Sequence, residues 1–159
     1  MALGLGYSIN IPAAAATNAP WTIWSYSCVA GVAMALQRLQ IQSNQTGSTQ
    51  SVIQLQLGIY ATTNSTTNTI AAPTSSPTVR LNTRVMGGTT YGQTATMGTG
   101  AFTVIKNWQW NGATPFDIVN GKDIIIPEFP GVVANLLALI IPVASGTPTL
   151  SGSMDVEEL

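Results

Sequence analysis

Histidine is absent from this chain and charge is nearly so: five Lys and Arg and six Asp and Glu in 159 residues leave a formal net charge of −1. Without an imidazole the chain cannot by itself build a Ser-His-Asp or Cys-His nucleophile, a histidine-ligated zinc, copper or iron site, or a proton switch near neutral pH. We therefore read it as no enzyme, with neither cofactor nor metal. A net charge so close to zero gives no field to gather nucleic acid or an anionic membrane, and neither is expected as a partner. The single cysteine, Cys28, excludes an intrachain disulfide. With Val29, Ala30 and Val32 around it and no basic neighbour, it reads as a buried, inert thiol.

Long apolar runs are missing too. The most apolar stretch, 132–143, contains Asn135 and Pro142 and falls far short of the roughly 20 residues that span a bilayer. Before Pro20 there is no Lys or Arg, and Asn10, Pro12 and Asn18 interrupt the apolar residues, so the start does not read as a secretory signal and we take Met1 as the true start.

Uncharged polar side chains take the place of charge. Apolar residues make up 45% of the chain and charged ones only 7%, so Ser, Thr, Asn and Gln must carry solubility. The length suits one domain. Within it the apolar period is mostly two. Ile53, Leu55, Leu57 and Ile59 alternate with Gln54, Gln56 and Gly58, which predicts a strand over 52–61 with one face in a core. Val79, Leu81, Thr83 and Val85 alternate with Arg80, Asn82 and Arg84 in the same way. That outer face reads as solvated, with contact to an acidic partner as the functional alternative.

Over 28–42 the apolar role passes from Cys28, Val32, Met34 and Leu36 to Leu39 and Ile41. Such a change of parity predicts one inserted residue, a β-bulge near Gln37. Residues 102–105 form another candidate strand, and 116–119 with 123–126 are expected to form a hairpin about Asn120-Gly121. Pro130-Gly131 suits a type II turn. In Leu136 to Val143 both parities are apolar, which predicts a strand covered on both faces, the second cover being another subunit. Leu150, Met154 and Val156 then alternate with Ser151, Ser153 and Asp155 in a closing strand. Roughly eight strands, polar loops and no convincing long helix predict an all-β single domain, a β-sandwich or jelly roll. Residues 1–20 read as an extended N-terminal arm ahead of a sandwich spanning 21–159.

Few motifs offer chemistry. Gly98-Thr99-Gly100 lacks the Lys-Ser/Thr and the strand-to-helix setting of a phosphate cradle. Asp117, Asp123 and Glu128 match no dedicated cation loop and read as solvated carboxylates. The aromatics carry more. Trp108 and Trp110 point to one face if they share a strand, about 7 Å apart, and Trp21, Trp24 and Tyr26 form a second cluster. Both groups read as core or interface, with a sugar-stacking platform as the alternative.

Taken as a pattern, Leu39-Gln40-Ile41-Gln42 and 54–60 (Gln-Leu-Gln-Leu-Gly-Ile-Tyr), the Thr/Pro-rich loop after them, the Pro130-Gly131 turn before Leu136 to Val143, and the ending 151–159 make the chain resemble small β-sandwich structural proteins of tailed bacteriophages. That type includes capsid decoration (cement) proteins. The resemblance implies a virion component assembled in the host cytoplasm, binding the major capsid protein on the outside of the head. A carbohydrate- or receptor-binding module, as on a tail fibre, is the alternative. Partner contacts are then expected from the arm, Trp21, Trp24, Tyr26, Arg80, Arg84, Trp108 and Trp110. Because Leu137, Leu139 and Ile141 lie on a strand apolar on both sides, they are expected to form the interface of a homo-oligomer, a trimer.

Overall fold

In the computed structural model, residues 5–16, 21–27, 34–44, 52–62, 69–70, 89–91, 99–126, 136–143 and 147–158 are described. Period two becomes strand throughout: β1 (Leu5–Ala15), β2 (Trp21–Ser27), β3 (Met34–Ser43), β4 (Val52–Thr62), β5 (Thr69–Ile70), β6 (Thr89–Tyr91), β7 (Thr99–Asn111), β8 (Phe116–Ile126), β9 (Leu136–Ile141) and β10 (Thr149–Glu158). Among the described residues there is no helix, and so none long and apolar enough to cross a membrane.

The pairing is nested. β1 lies antiparallel to β10, β2 to β9, β3 to β8 and β4 to β7, with Leu5 opposite Glu158 where the first and last strands pair. The pairs β10–β3 and β9–β4 join these ribbons into a four-stranded sheet, β1-β10-β3-β8, and a six-stranded sheet, β5-β6-β2-β9-β4-β7. An antiparallel ribbon wrapped in this way into two facing sheets is a jelly roll. The expected all-β sandwich is the observed fold.

The core lies between the sheets. Ile9 and Ile11 of β1, Leu39 and Ile41 of β3, Ile53, Leu55 and Leu57 of β4, and Met154 and Val156 of β10 are buried there in one apolar cluster. Gly152 keeps the same parity on β10 and pairs with both Ile11 and Ile41. A Cβ there would meet the Gln40 carbonyl oxygen and come within 3.1 Å of Ile41 Cδ1, so the glycine lets the β3 backbone approach β10 closely. One end of the four-stranded sheet is fastened by Ala16 N–H donating to Pro148 O (2.9 Å), Asn44 N–H to Thr149 O (3.1 Å) and Thr149 N–H to Asn44 Oδ1 (2.9 Å).

The bulge expected near Gln37 is present. On both neighbouring strands the register passes from Leu36 to Arg38 with Gln37 unpaired. Three expectations need correction. Residues 5–15 are no free arm: β1 is an integral edge strand whose Tyr7, Ile9 and Ile11 are buried, because alternation with Gly6, Ser8 and Asn10 gives it a core face. Nor does Asn120-Gly121 reverse the chain. Phe116 to Val119 and Ile124 to Ile126 both pair with β3, and the residues between them swell out of one continuous strand. A local turn signal yields when one long partner strand can satisfy both flanks.

The strand expected over 102–105 is present, as the middle of the longer β7. Finally, Leu137, Leu139 and Ile141 face the inter-sheet core and are unavailable to a second subunit. The opposite face of β9, Ala138 and Ile140, is buried within the same chain in a small cluster with Tyr60, against which Phe102 packs. Cys28, the strand expected over 79–85 and the Pro130-Gly131 turn lie outside the described residues.

Candidate functional site

The expected partner-binding aromatics divide by burial. Trp21 and Trp24 are core residues of β2, and Trp110 is a core residue of β7. Trp108 is half-buried and packs on the same core. Both β7 tryptophans close on Phe116 of β8, with ring centroids 5.6 Å from Trp108 and 6.0 Å from Trp110. They share a face, as their spacing predicts, but it is the inner one, where Trp108 pairs with Leu55 and Trp110 with Ile53. The Trp110 indole Nε1–H donates to Thr114 O at 2.6 Å. Asn111 shapes the same β7–β8 corner: its Oδ1 accepts from Ala113 N–H and its carbonyl from Thr114 N–H, both at 3.1 Å. An exposed sugar-stacking pair is therefore not formed by these two rings. The Tyr26 side chain, Arg80 and Arg84 lie outside the described residues.

Two open polar surfaces are present instead. On the outer face of the four-stranded sheet, Asn10, Ser153, Gln40 and Asp117 fall in one cross-strand row, and Ser8, Asp155, Arg38 and Val119 in the next. Arg38 donates to Asp117 through Nε (3.0 Å, to Oδ1) and Nη2 (2.6 Å, to Oδ2), and Gln40 Nε2 reaches the same carboxylate at 3.2 Å. Hydrogen bonding from Arg38 holds the Asp117 carboxyl below the usual range, and the bond to Asp117 raises the guanidinium. Both groups are exposed, so the pair orders the face more than it stabilises the fold. Gln37, displaced outward by its bulge, donates to Glu157 Oε2 at 2.8 Å.

The second surface is the outer face of β4 and β7. Gln54 stands opposite Gln109, and Gln56 opposite Asn107. Gln54 Nε2 donates diagonally to Asn107 Oδ1 at 3.1 Å. Asn107 and Gln109 are exposed, and Val52, next along β4 on this face, is 64% exposed. Further along the same face, Phe102 packs at a tilt on Tyr60 with centroids 4.7 Å apart and covers Gly58. Burial pushes the Tyr60 phenol up.

In the sequence, Gln54 and Gln56 are only the outward half of a strand pattern. Their β7 partners were out of reach, because cross-strand register is non-local. The same holds for Arg38 and Asp117, which lie far apart in sequence. Comparison with protein-family models, with curated proteins and with solved structures finds no match to this chain. The class that the fold defines is therefore architectural: a jelly-roll sandwich that presents, among the described residues, two hydrogen-bonding sheet faces.

Proposed function

We propose that this protein is a structural component of a tailed-bacteriophage virion, a decoration protein that binds the major capsid protein on the outer surface of the head. The observation that carries the reading is the nested strand order. Jelly rolls build viral shells and lectins alike, and the fold alone leaves both open. The inward placement of Trp108 and Trp110 favours the shell over a lectin built on those rings. An exposed, hydrogen-bonding face on which Arg38 and Asp117 neutralise each other suits lasting attachment to a large surface better than capture of a charged small molecule. Without a buried subunit strip on Leu137, Leu139 and Ile141, the reading does not require a trimer.

Sedimentation tests it. Purified protein mixed with phage heads stripped of accessory proteins is expected to pellet with them to a saturable stoichiometry and to raise the temperature at which the heads rupture. Protein that stays in the supernatant at every head concentration overturns the proposal.

A further inference from the structure

We propose that the outer face of β4 and β7 binds a neutral glycan chain, an activity that goes beyond head decoration and does not depend on it. Four carboxamides, from Gln54, Gln56, Asn107 and Gln109, occupy adjacent positions in two cross-strand rows. Rows on one face lie about 7 Å apart along the strands, and the strands themselves about 5 Å apart. Each carboxamide offers two donors and an acceptor. Among the described residues only the bond from Gln54 to Asn107 is made inside the group, and it fixes the relative orientation of two of the amides.

The group is also uncharged. Among the described residues of β7 the one cation, Lys106, pairs with Leu57 and so takes the parity opposite to Asn107 and Gln109, with its side chain exposed at the sheet edge. A phosphate or carboxylate ligand calls for cations, and among the described residues this face presents none. An apolar peptide would strip water from the amides without replacing its hydrogen bonds. Hydroxyls that both donate and accept, repeated along a chain, match the array. Both ends of the strip are apolar: Val52 is exposed at one, and Phe102 lies half-buried over Gly58 at the other, with the 45% exposed Val104 on its flank. Such groups suit the C–H faces of sugar rings. Val52 to Tyr60 on β4 spans about 27 Å, long enough for several rings.

Affinity electrophoresis through gels containing dextran, yeast mannan or a mixed-linkage β-glucan, with heparin as the polyanion control, tests the proposal. Wild-type protein is expected to be retarded by at least one neutral polysaccharide. The Gln54→Ala/Gln109→Ala variant should bind it tenfold or more weakly while melting at the same temperature, and Gln109→Ala alone, at an exposed edge position, should show an intermediate loss. No retardation by any neutral polysaccharide, retardation by heparin alone, or equal retardation of wild type and both variants overturns it. Head binding is scored separately, so the two proposals fail independently.

Discussion

Two strand glycines, Gly58 and Gly6, have different surroundings, and these set different costs for a methyl group. At Gly58 a Cβ would come within 2.6 Å of the Phe102 ring and would also meet the Thr103 carbonyl, whereas at Gly6 nothing lies within 4 Å. Gly58→Ala is expected to cost about 1–3 kcal/mol by overpacking, and Gly6→Ala to be neutral or to gain up to about 1 kcal/mol through the unfolded chain. Urea unfolding of the two variants checks the contrast. Ser25 presents a different residue-scale problem. Its Oγ is fully buried with no hydrogen-bond partner among the described residues. An unmade bond of this kind costs about 1–3 kcal/mol, so Ser25→Ala should raise the urea midpoint. A lowered midpoint would show that the hydroxyl is satisfied.

At the same scale, Asp117 links stability to acid. Its carboxyl is held below the ordinary range, first by the hydrogen bond from Arg38. The unfolded chain therefore takes up this proton first as pH falls. The stabilisation is fully present above the ordinary carboxylate pKa of about 4 and disappears as pH drops through the lower folded value. Asp117→Asn should flatten that part of the melting-temperature profile between pH 5 and pH 2, by a small amount that vanishes in high salt. Equal acid limbs in wild type and variant would refute the linkage. With no histidine in the chain, neither profile should bend between about pH 5 and 8.

Among the elements, β1 is the one whose role is most open to a decisive test. It touches the rest of its sheet only through β10, yet it buries Tyr7, Ile9 and Ile11. Deleting residues 2–18 removes three large core side chains, each worth about 2–5 kcal/mol, and bares the edge of β10. The truncated chain is expected to show no cooperative melting by circular dichroism, whereas a free arm would leave the transition intact. Alternation was already visible in β1, with Tyr7, Ile9 and Ile11 set against Gly6, Ser8 and Asn10, but Pro12 and the run of alanines masked it. The Gln37 bulge was legible because a parity change leaves its mark in one strand. At Asn120-Gly121 the dipeptide stated a local preference, and the choice between reversal and bulge was made by β3, a strand about 80 residues away (79 between Arg38 and Asp117). The partnership of Gln54 with Gln109 was hidden for the same reason, since no local pattern encodes register with a distant strand.

For the molecule as a whole, the nested order means that the first and last strands are neighbours. Leu5 and Glu158 face each other across the β1–β10 ladder, and β10 lies between β1 and β3. The backbone therefore describes an almost closed circuit. Joining Leu5 to Glu158 through a short Gly/Ser linker would complete that circuit without bending either strand. A cyclic chain loses conformational freedom chiefly when unfolded, and by the chain-entropy estimate for a loop of this size the gain approaches about 5 kcal/mol. The cyclised protein is expected to melt well above the linear one with the same circular dichroism spectrum, and to resist exopeptidases, which find no terminus on it.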